Sequence, residues 1–101
     1  MLCKNTLKEG EVRFRFLSGE DEDNLNWGLT FNFHDSWREW KVCRVETNGQ
    51  AAKFGIEIGW QLIKIDNKLL GQHNYDEFKS HILREEPGLL TFQKSSVTYT
   101  L

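Results

Sequence analysis

Leu29, Phe31 and Phe33 alternate with Thr30 and Asn32, and that period of two commits the segment to a strand with one buried face. Directly before it stands Trp27-Gly28-Leu29, a glycine between two large apolar residues. Glycine at that point lets the chain turn with successive backbone N–H groups facing one way, which makes an anion-binding nest beside a strand edge. The rest of the chain has to supply a core under this one stretch.

Other strands follow from similar patterns. Glu11–Phe16 alternates, with Val12, Phe14 and Phe16 inward and Arg13 and Arg15 on a solvated face. Trp40–Val45 forms a third strand. Val42 and Val45 are out of phase with strict alternation, so a bulge or bend is expected there. Gln61–Ile65 and Lys68–Leu70 flank an Asp66-Asn67 turn, and Leu89–Gln93 is the last strand. Gln50–Phe54 has about one turn of helical sequence, with Gly55 as its C-cap. A longer helix follows Asn74. Asn74 and Glu77 form a capping-box pattern, Tyr75, Phe78, Ile82 and Leu83 one apolar stripe, and Pro87-Gly88 the stop. The economical packing is mainly β: a small five- to six-stranded partial barrel closed by one short and one longer helix. The 101 residues make one domain with a core from about 11 to 94, flanked by loose segments at 1–9 and 95–101.

Composition narrows the function class. A net charge of −2 with scattered Lys and Arg excludes a nucleic-acid face. No apolar run reaches the roughly 20 residues of a membrane span, and no signal peptide is visible. Cys3 and Cys43 lack metal or redox spacing and read as reduced thiols of an intracellular, cytoplasmic chain. His34, His73 and His81 share no ligand spacing, so neither metal nor cofactor is expected. No nucleophile with a base and its orienting partner can be assembled, which reads as a protein that is not an enzyme. The acidic run Glu20–Asp23 reads as a solvated loop and lacks the ligand alternation of an EF-hand.

Three segments in this order resemble the PDZ domain family over about 11–94. Trp27-Gly28-Leu29-Thr30-Phe31 is similar to its carboxylate-binding loop. Gly49-Gln50-Ala51-Ala52 resembles its short-helix segment, with Gln50 in a proline's place. Gly55 through Asn67 resembles its Gly-Leu-x-x-Gly-Asp-x-Ile-Leu-x-Val-Asn-Gly run, with Trp60 where aspartate is usual. Trp60 is then either an added packing residue or an exposed contact.

The resemblance implies a protein–protein interaction module that binds a partner's extended C-terminal peptide by strand addition. The backbone N–H groups of Trp27, Gly28 and Leu29 would hold the terminal carboxylate. Thr30, Phe31, Asn32 and Phe33 on the strand, with Tyr75, Lys79 and Ile82 on the second helix, would form the groove. Trp27, Leu29, Phe31 and Ile82 would take an apolar last residue, and Tyr75 an apolar or acidic third-last one. The family often carries a basic residue a few positions before the loop. Here Glu20–Asp23 stand there, a field that weakens a carboxylate and favours internal segments. The alternative is an assembly module with a closed or atypical groove, self-associating through Trp37 or Trp40 or a sheet edge. The tail Thr98-Tyr99-Thr100-Leu101 matches what an apolar groove would accept, so entry into a neighbour's groove is a further expectation.

Overall fold

The computed structural model describes residues 7, 9–19, 21, 25–32 and 39–94. Among them are strands β1 (Glu11–Phe16), β2 (Leu29–Asn32), β3 (Lys41–Val45), β4 (Gln61–Ile65), β5 (Lys68–Leu69) and β6 (Gly88–Gln93). Two helices, α1 (Gln50–Phe54) and α2 (Tyr75–Leu83), lie between them, with a 3₁₀ turn at Gln72–Asn74 leading into α2. The strands form one open antiparallel sheet ordered β1-β6-β4-β3-β2, with β5 paired to β4. The architecture is therefore mainly β, with six strands and two helices among the described residues. Phe33, Trp37, the 34–38 connection, Cys3, most of the acidic run and the tail Thr98–Leu101 lie outside the described residues.

The alternation in β1 sends Phe16 into the core, while Phe14 stacks on Phe54 of α1 with ring centroids 4.8 Å apart. The irregular spacing in β3 is a bulge: Thr30 faces Arg44 and Phe31 faces Val42, leaving Cys43 as the extra residue, exposed with a free thiol. Asp66 and Asn67 both adopt left-handed backbone (φ 53° and 68°), the geometry of a type I′ hairpin turn. The Asp66 carboxylate also accepts from Leu89 N–H at 2.9 Å, tying that turn to β6.

Aromatic packing fills the interior. Phe16, Trp27, Phe31, Trp40, Leu62, Leu90 and Phe92 are all buried. Trp40 is fully buried, with Tyr75 edge-on at 5.4 Å and Phe78 at 6.2 Å. It is a floor under α2 and presents no surface for self-association. Trp60 is a packing residue, 6.3 Å from Phe92 between ring centroids, with the Lys94 ammonium 5.7 Å over its ring.

Two expectations for α2 are corrected. Leu83 is 68% exposed and leaves the apolar stripe. At ~100° per residue Tyr75, Phe78 and Ile82 share a narrow arc, and Leu83 projects outside it beside Lys79. Asn74 precedes α2 but does not cap it. Its side chain instead accepts from Gly71 N–H at 2.8 Å and donates to Leu69 O at 3.0 Å, closing the preceding turn.

Candidate functional site

The loop into β2 is held from behind by hydrogen bonds to three consecutive carbonyls. Gln50 N–H donates to Asn26 O at 2.9 Å, Ala51 N–H to Trp27 O at 3.1 Å, and Glu46 N–H to Gly28 O at 2.8 Å. The first two donors are N–H groups of α1's first turn, which have no partner within the helix. In a planar trans peptide the N–H points opposite to the carbonyl. The N–H groups of Trp27 and Gly28 are therefore turned away from α1, and that of Leu29 away from β3. Gly28 makes this turn at φ 64°, and an added Cβ there would lie 3.0 Å from both the Gly49 Cα and the Glu46 Cβ.

Gln50 fastens the loop from inside. Its buried amide donates to Leu17 O at 3.0 Å and Leu25 O at 2.7 Å, and accepts from Leu17 N–H at 2.9 Å. A proline could make none of these bonds with its side chain, so glutamine here links both ends of the β1–β2 loop to α1. Trp27 has its indole N–H on Leu17 O at 2.7 Å and its ring 4.7 Å from that of Phe16. At 1% exposure its side chain belongs to the core and offers no open pocket wall, which corrects the expectation that it lines one.

The outer edge of β2 is the sheet's terminus among the described residues. Gly28 lies opposite Glu46 and accepts its N–H, so the next pair, Leu29 and Val45, is a non-hydrogen-bonded one. Leu29 therefore turns its own N–H and C=O outward. The side chains of β2 alternate as expected: Leu29 is half-buried, Thr30 exposed, Phe31 buried against Phe92 and Trp40, and Asn32 exposed. On α2, Tyr75 is half-buried against Trp40, Lys79 is exposed, and Ile82 is buried in the core.

A cleft of about 370 Å³ adjoins Gly28, Leu29 and Thr30. Its other walls are Asn26 of the same loop, Glu46, Asn48 and Gly49 of the β3–α1 turn, and Glu85 beyond α2. Tyr75, Lys79 and Ile82 do not line it. The cleft opens towards the β3–α1 turn and the end of α2, where Glu85 stands.

Glu85 is the site residue that sequence reasoning missed. Its Oε1 accepts the Trp27 N–H at 3.0 Å, and its carbonyl accepts from Gly19 N–H at 3.0 Å. One N–H of the nest is thus already bonded to a carboxylate of the chain itself. The pairing spans 58 positions, and the only local hint is that Glu85 takes left-handed backbone (φ 51°), which no sequence rule assigns to glutamate. Glu46, on the opposite wall, pairs with Arg44 at 3.2 Å, both side chains being largely exposed.

Among the described residues no group of His, Cys, Asp and Glu is placed to hold a metal ion, and no helix is long and apolar enough to cross a membrane. No protein-family model matches the chain, and no curated protein is detectably similar to it.

Proposed function

We propose that the chain is a PDZ-like interaction module that takes an extended peptide as an added strand along the outer edge of β2. The observation that carries this reading is the outward-facing N–H and C=O of Leu29, at the end of the sheet and next to a loop whose N–H groups face one way. Main-chain pairing along such an edge supplies affinity, and alternate side-chain contacts supply selectivity. Leu83, exposed on α2 beside Lys79, offers an apolar contact close to the loop, because Glu85 two residues later touches Trp27. Burying one aliphatic partner side chain there contributes about 1.5–3 kcal/mol, and an affinity near micromolar, about −8 kcal/mol, fits one strand with one anchor. The partner is another intracellular protein, and the module carries no catalytic step of its own.

The second reading, a module with a closed cradle that takes internal segments, is favoured by one specific contact, Glu85 on Trp27 N–H. Fluorescence polarisation against a peptide library, with every free C-terminus matched by its amide, tests both. Binding in the micromolar range, lost in Leu29→Asp, is the expected outcome. No binding below about millimolar, roughly −4 kcal/mol, removes strand addition.

A further inference from the structure

We infer that Glu85 is a built-in occupant of the β2 loop that makes the module disfavour a partner's free C-terminal carboxylate; the inference rests on the peptide-binding reading. Three features hold the side chain there. Gly19 gives it room, since a side chain at that position would collide with the Glu85 carboxylate. Gly19 N–H also holds the Glu85 carbonyl at 3.0 Å, fixing the backbone from which the carboxylate reaches Trp27. The residue itself sits at φ 51° as the left-handed end of α2, fixed by Glu85 N–H on Ile82 O at 3.1 Å and Glu86 N–H on His81 O at 3.2 Å, where glycine or asparagine is the commoner residue. What the glutamate side chain adds at this helix end is a charge-assisted hydrogen bond to a backbone donor.

The consequence is electrostatic and stoichiometric. Trp27 N–H is the first donor of the nest and is taken. An incoming carboxylate would have to displace Glu85 and then remain beside it, with Glu46 on the opposite wall and that residue's partner Arg44 already engaged. Like charges at such separation repel. A peptide that continues past the loop, or ends in an amide, brings no such charge and still pairs with the β2 edge. Glu85 therefore acts as a specificity-determining residue for uncharged or internal strands.

The test uses the full chain and two substitutions. Glu85→Gly removes the carboxylate and suits φ 51°, so the fold is retained; Glu85→Gln keeps the acceptor and removes the charge. N-acetyl-leucine, the smallest free aliphatic C-terminus, and N-acetyl-leucinamide are titrated while the amides of Trp27, Gly28 and Leu29 are followed by NMR. In the wild-type chain neither probe is expected to shift them. In Glu85→Gly the acid alone is expected to shift all three saturably. For any peptide that binds, the free-acid to amide affinity ratio is expected at or below one in wild type, about tenfold or more in Glu85→Gly, and between the two in Glu85→Gln, which removes the charge and still occupies Trp27 N–H. A wild-type ratio already about tenfold, or folded variants that leave both readouts unchanged, overturns the inference. Failure of strand addition looks different. No peptide in either form then shifts β2 amides, while N-acetyl-leucine still reports whether Glu85 blocks the nest.

Discussion

The two ends of the sheet are built differently. At one end β1 pairs with β6 over six residues in unbroken register, from Glu11 opposite Gln93 to Phe16 opposite Gly88. At the other end β2 has four residues, faces a bulge, and begins in a loop secured by backbone donors from α1 and the β3–α1 turn. Arg13 and Arg15 stud β1, a common guard against edge-to-edge pairing, whereas β2 carries the neutral Thr30 and Asn32. The contrast teaches that an edge can be unpaired for two reasons. The β1 edge is long, regular and defended. The β2 edge is short, undefended, and set beside oriented N–H groups, which is what a strand acceptor needs.

The comparison can be broken from the core outward. Trp40→Ala removes the floor under α2 and should cost about 3–5 kcal/mol by chemical denaturation. A loss under about 1 kcal/mol would mean the β2 end does not depend on that ring. Gln50→Leu removes the inner fastening of the loop, and losing the bonds to Leu17 N–H and Leu25 O, at about 0.5–1.5 kcal/mol each, should cost about 1–3 kcal/mol. Hydrogen exchange sharpens that case: amides from Trp27 to Asn32 should exchange faster while those of β1 and β6 hold. Gly28→Ala forces a side chain into left-handed backbone against Gly49 and should cost about 1–2 kcal/mol. The double change Arg13→Thr, Arg15→Thr should move stability by no more than about 0.5 kcal/mol. It should nevertheless raise self-association by light scattering if those charges defend the β1 edge.

Much of this asymmetry was legible in the chain. The period-two runs located β1 and β2, the out-of-phase Val42 and Val45 located the bulge, and Asp66-Asn67 located the hairpin turn, because each is set by local sterics. What escaped was decided by distant partners. Leu83 matched a helical period, yet the buried arc had already been set by Phe78 and Ile82 against the core. Asn74 had a cap's chemistry, and its amide went to Gly71 and Leu69 instead. The nest glycine was readable at Gly28. That Trp27 would be buried, and that a glutamate from beyond α2 would fill its donor, depended on packing between segments far apart in sequence.

The central claim is that the outer edge of β2 accepts a strand, and amide mapping by NMR with an extended peptide selected from the library tests it most directly. The account predicts the largest shifts and new exchange protection at Leu29 and at its neighbours through Asn32, with the β1 amides unmoved. Saturable binding that leaves Leu29 unshifted, or that maps to β1, contradicts it.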